Sequence, residues 1–248
     1  MSLSHFLRIR RWHRWRRFLF GLVLVFLLGV SDGDAAQPAL PSPQVHPLPL
    51  SLERWQDAKQ SGDYFDQVKP LEFGYLVWSQ FPVTVFVEPA TDSRSRLWVT
   101  AVLNAVQEWN AYLPLQVVTH TEADIVVRRS TPPLRLEPGA GLRLGRVRSA
   151  ETQFTLYRKT RGATTVLAHR FTILLRPDQA PTYLQAAARH ELGHAIGIWG
   201  HSPRDTDALF FSQVRTPLPI SARDINTLRR VYQQPTSLGW SFAPQANF

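Results

Sequence analysis

The chain has 248 residues, of which 44 % are hydrophobic, 11 % aromatic and 19 % charged, enough apolar material for one domain or at most two and too much for a disordered chain. It contains no cysteine, which excludes a disulfide scaffold, a thiolate nucleophile, a thiolate metal site, an iron–sulfur cluster and latency imposed by a cysteine clamped on a metal. The formal net charge of +9 suggests a nucleic-acid binder until its location is examined.

Six of the 28 basic residues (Arg8, Arg10, Arg11, Arg14, Arg16 and Arg17) precede an apolar run from Phe18 to Val30. Small and polar residues follow from Ser31 to Gln37. A positive stretch, a short apolar run and a small-residue cleavage site describe an export signal. Gly33 and Ala35 suit positions −3 and −1, so residues 1–35 are expected to be the signal, cut after Ala35. The apolar run of 13 residues is short against the roughly 20 of a bilayer span; an uncleaved anchor at residues 18–30 is the alternative. The chain beyond residue 35 keeps 22 basic and 17 acidic residues, a net charge of +5, and residues 128–176 hold 11 basic residues against Glu137 and Glu151. That segment reads as a solvated strand-and-loop face, or as a surface for acidic substrates or anionic envelope polymers. A periplasmic or extracellular location removes nucleic acid as a partner and leaves the membrane only through an uncleaved N-terminal segment.

Residues 36–50 carry five prolines and no charge and form an extended linker. Residues 51–79 are an N-terminal extension with a short helix expected over Ser51–Gln60 and an acidic, aromatic loop over Ser61–Gln67. Residues 80–248 form the main domain. Pro82–Glu88 alternates β-branched residues as a strand does, and Ser95–Tyr112 sets Leu97, Val99, Val102, Leu103, Val106, Trp109 and Tyr112 at helical spacing, with Pro114 beyond. Strands are expected at Leu115–Thr119, Ala123–Arg129, Leu142–Arg146, Ala150–Arg158 and Thr164–Leu175, and a helix from Pro181 to about Ile198. The last helix opens on a capping box, Ser221 to Asp224, with Ile220 stapled onto Ile225. This order gives an α+β domain with one mixed, twisted sheet, an active-site helix and a C-terminal helix.

The chemistry sits in His190-Glu191-Leu192-Gly193-His194, followed by Gly197 and His201. His190 and His194 stand at i and i+4, one turn apart on one helix face, where two imidazoles reach one Zn²⁺ at about 2.0–2.1 Å. Glu191 lies beside that metal, placed to take a proton from a water bound there. Gly197 allows the helix to turn back, carrying His201 in as a third ligand. Three of the chain's eight histidines fall within these twelve residues.

The stretch resembles the extended zinc motif of the metzincin metallopeptidases, HExxHxxGxxH, and among them the matrixins. Ala195, Gly197, His201-Ser202, the ADIVV strand and the helix SARDINTLRRVY are matrixin-like, and the pattern also resembles exported zinc-dependent proteases of cyanobacteria. The resemblance covers about residues 80–234 and implies a zincin fold and peptide-bond hydrolysis. It also implies an extended peptide lying antiparallel to an edge strand, for which Ala150–Arg158 is the candidate. Three departures stand out. Gly200 occupies the usual third-histidine position, so the spacing is HExxHxxGxxxH. The methionine beneath the zinc is absent, Leu209 of Asp207-Ala208-Leu209-Phe210 being of similar volume, and Phe210 cannot ligate a metal as a tyrosine does. His169 resembles a structural-zinc histidine but lacks partner histidines and acidic calcium loops, so it reads as a strand residue.

Asp205 and Asp207 are expected either to tie the turn after His201 and orient a ligand or to lie in a solvated loop. Trp199 is expected to pack rather than to contact substrate, Tyr183 to be structural, and His120 to lie on the surface at a strand end. The resulting reading is an exported endopeptidase with Zn²⁺ held by His190, His194 and His201 and with Glu191 as general base. Its substrate is a peptide or protein, an acidic one if the basic segment faces the cleft. The rival is a catalytically inactive, zinc-retaining binding module of the cell envelope, which has no chemical need for Glu191.

Overall fold

The β-branched runs of the chain assemble into one sheet. In the computed structural model, which describes residues 39–134, 148–212 and 214–243, its strands are β1 (Val83–Val87), β2 (Leu115–Val118), β3 (Ile125–Arg128), β4 (Ala150–Arg161) and β5 (Thr164–Leu175). Their spatial order is β2-β1-β3-β5-β4. All neighbours run parallel except β4, which pairs antiparallel with β5 from Ala150↔Leu175 to Arg161↔Thr164 and forms one edge of the sheet. The expected strand at Leu142–Arg146 and the export segment lie outside the described residues.

Among the described residues four α-helices accompany the sheet: α1 (Leu50–Glu53), α2 (Ser93–Asn110), α3 (Pro181–Ala195) and α4 (Ala222–Tyr232). None is long and apolar enough to cross a membrane. Three of the helix boundaries that differ from the periodicity do so for a clear local reason. α2 starts two residues early because the Asp92 carboxylate accepts the Ser95 amide (2.7 Å) while Ser95 Oγ takes the Asp92 amide (2.8 Å), a complete capping box. α1 stops at Glu53, and further on the Asp57 carboxylate gathers the amides of Lys59 (3.1 Å) and Ser61 (2.6 Å) into a turn. α3 ends at Ala195, three residues before Ile198, because Gly197 takes φ +137°, a region that L side chains rarely adopt.

The alternation on β5 buries Leu167, His169, Phe171, Ile173 and Leu175 on one face. α2 lies beside α3, joined by Trp109 Nε1 donating to Arg189 O (2.8 Å) and by the Arg189–Glu108 ion pair. The segment before the sheet contributes to the same core, with Leu52, Tyr64, Val68, Phe73, Leu76, Val77 and Trp78 all buried. It is tied to the chain's other end by reciprocal Gln44–Thr236 backbone bonds (3.0 Å each) and by His46 stacked on Trp240 at 4.4 Å.

His169 is a core residue on β5, stacked on Trp78 with ring centroids 3.9 Å apart. It lies outside the cluster of histidines described below. Burial pulls its pKa down from 6.5 to about 3. Below pH 6.5 the unfolded chain therefore binds a proton that the folded chain refuses, so the contribution of neutral His169 is full above that pH and fades as pH falls toward 3. Between pH 6 and pH 5 the folding free energy is expected to drop by about 1 kcal/mol through this group. Denaturant titrations at the two pH values should show a decline shallower by that amount in His169→Phe; parallel declines would refute the assignment.

Candidate metal centre

His190 and His194 are one helical turn apart on α3, so their rings leave the same face. Gly197 then reverses the chain so tightly that a Cβ there would lie 2.9 Å from Leu76 O. The reversal brings back His201, and one ring nitrogen of each of His190, His194 and His201 lies within 4.8 Å of the others.

The hydrogen bonds decide which nitrogens are available. His190 Nδ1 faces Ala208 O at 3.0 Å and His194 Nδ1 faces Ile198 O at 2.7 Å. A carbonyl only accepts, so both Nδ1 atoms carry the proton. Burial, with His190 and His201 alongside, holds the His194 pKa well below 6.5, so its Nε2 offers a lone pair. That lone pair faces His190 Nε2 across 3.1 Å. Two imidazole nitrogens approach this closely only with a proton or a cation between them, and a third imidazole nearby favours the cation. His201 is the exposed member, its pKa lowered to about 4 by partial burial and by His190. Three imidazole nitrogens brought together with open access could hold a divalent metal ion.

Glu191 is buried beside the histidines and accepts a 2.6 Å hydrogen bond at Oε2 from Thr152 Oγ1 of β4. Desolvation raises its pKa, opposed by His190 and by the Thr152 hydroxyl. Thr152 thus joins the edge strand to the helix that carries Glu191. The sequence carries no signal for it beyond its place on the expected strand.

Beneath the site the turn Asp207–Phe210 is held from below. Asp207 is buried and accepts from Ser202 Oγ (2.5 Å), Ser221 Oγ (2.8 Å) and Arg223 Nε (3.0 Å). It ties the turn to the start of α4, whereas Asp205 is exposed. Leu209 is fully buried against α3, and a Cβ added to Gly193 would lie 2.6 Å from Leu209 Cδ2. Gly200 backs directly onto the chain at Gln67–Val68: a Cβ there would stand 2.3 Å from Gln67 O and 3.0 Å from Val68 Cα. No side chain fits at position 200 unless the backbone of Gln67–Val68 moves.

The histidines and Glu191 line a cleft of about 800 Å³ that runs from Arg148, Ala150 and Thr152 to Phe210, Phe211 and Leu218. Trp199 packs edge-on to Phe154 (5.3 Å) and to His194 (5.8 Å). Tyr183 lines the cleft and donates its hydroxyl to Arg215 O (3.0 Å), while His120 is exposed beyond β2. Of the described basic residues in 128–176, Arg148 alone lines the cleft, paired with Glu151 at 3.2 Å.

No known family model matches the chain, and neither does any curated protein sequence. Among solved structures it is similar to that of myroilysin, with 12 % identity and a TM-score of 0.37 over 76 % of this chain and 98 % of that one.

Proposed function

We propose that the chain is an exported, zinc-dependent endopeptidase of metzincin type. The observation that supports this most is the pair of Nδ1-anchored histidines whose Nε2 atoms meet at 3.1 Å, with a buried carboxylate next to them in an open cleft. His190, His194 and His201 would hold the metal. Zinc, when bound, polarises a peptide carbonyl and lowers the pKa of a water. Glu191 accepts a proton from the attacking water and delivers it to the leaving amine, a role suited to a carboxylate whose proton affinity is raised by burial. Thr152 fixes the Glu191 carboxylate on the side facing β4. The outer edge of β4 offers backbone donors and acceptors to an extended peptide.

The full chain loaded with Zn²⁺ is expected to cut a broad peptide library, to stop when a chelator strips the metal, and to recover when Zn²⁺ is restored. Undiminished cutting in chelator would overturn the zinc assignment. A loaded chain that cuts nothing would overturn the peptidase and leave the metal-retaining binding module.

A further inference from the structure

We infer that Tyr64, which lies 126 positions before His190 in the chain, is a positioning residue for the three-histidine site. Its ring is fully buried, and its hydroxyl donates to Asp224 Oδ1 at 2.6 Å. Asp224 in turn accepts the amides of Ala208 (2.9 Å) and Leu209 (3.4 Å). The carbonyl of that same Ala208 receives His190 Nδ1. The path therefore runs from a phenol through a carboxylate and one peptide unit to the ring nitrogen that fixes which way His190 presents Nε2. Tyr64 is itself held in register, its amide donating to Thr227 Oγ1 at 3.0 Å.

A second contact from the same turn reaches the other side of the site. Gln67 and Val68, three and four residues on, are the backbone against which Gly200 is seated, immediately before His201. One short turn, Tyr64 to Val68, thus sets the partner of the first ligand and the position of the third. None of its residues lines the cleft. The turn supports the site from outside the cleft.

This inference rests on the three histidines binding a metal and not on peptide cleavage, so the test reads the metal. Co²⁺ is titrated into the full-length protein and into Tyr64→Phe, which keeps the buried ring and removes one oxygen. Thr236→Val is the control, since it also loses a fully buried hydroxyl, one that bonds Phe73 O away from the histidines. Tyr64→Phe is expected to bind Co²⁺ about 10-fold more weakly, the low end for loss of an outer hydrogen-bond partner, with a shifted visible spectrum at saturation. Thr236→Val should lower the thermal midpoint and leave affinity and spectrum unchanged. Asp224→Asn, which interrupts the path one step later, should change the spectrum in the same direction and keeps the test decisive if Tyr64→Phe folds poorly. Wild-type affinity and spectrum in a folded Tyr64→Phe or Asp224→Asn would overturn the inference even if the enzyme cuts peptides. Conversely, a wild type that binds Co²⁺ and cuts nothing sinks the peptidase reading and leaves this inference to be decided by the spectra.

Discussion

Glu191→Gln is expected to lower kcat/KM on cleavable peptides by about 10²- to 10⁴-fold, the range of a positioned general base, while metal uptake stays at the wild-type level. The amide matches the carboxylate in volume, and its carbonyl oxygen can still accept from Thr152 Oγ1, so the link between β4 and α3 survives. What disappears is the ability to hold a proton between the water and the leaving amine. His190 and His194 need nothing from Glu191 to stay in place, because their Nδ1 atoms are fixed by the Ala208 and Ile198 carbonyls. Stability should not fall, since desolvation disfavours the charged carboxylate in the folded chain and a neutral amide escapes that cost. Peptide kinetics, metal stoichiometry and a thermal melt on one preparation separate the cases. A variant that cuts within a few-fold of wild type would remove Glu191 from the chemistry.

What could be read from the sequence about this site was local. His190 and His194 are legible because helical periodicity places i and i+4 on one face, and His201 because a glycine nearby permits a reversal. The single mixed sheet and the capped last helix follow from patterns of four to twelve residues, which composition and spacing reveal. The supports were not legible. Thr152 reaches Glu191 across 39 positions and Tyr64 reaches Asp224 across 160; neither has a spacing that a single sequence displays. Element ends failed for a related reason. Asp92, Asp57 and Gly197 set boundaries through side-chain capping and one backbone angle, which override apolar periodicity at the ends of helices.

Gly200 carries the largest expected loss of stability. Gly200→Ala puts a methyl group 2.3 Å from Gln67 O, 2.9 Å from the carbonyl carbon and 3.0 Å from Val68 Cα. All three are backbone atoms, so no rotamer change relieves the clash. At Gly193, by contrast, the nearest atom belongs to the Leu209 side chain. The expected cost is about 3 kcal/mol, the upper end for overpacking, read as a shift in the denaturant midpoint. Because the chain can yield only by moving residues 200–201 or the turn behind them, His201 should leave its position and metal affinity should fall with stability. The same geometry predicts the fate of a chain given the usual histidine spacing. Gly200→His combined with His201→Gly should neither fold stably nor bind metal, although its motif matches the metzincin pattern more closely than the wild type does. If that double variant folds and binds Zn²⁺ as tightly as wild type, the packing of Gly200 on Gln67 is not what sets the position of the third histidine.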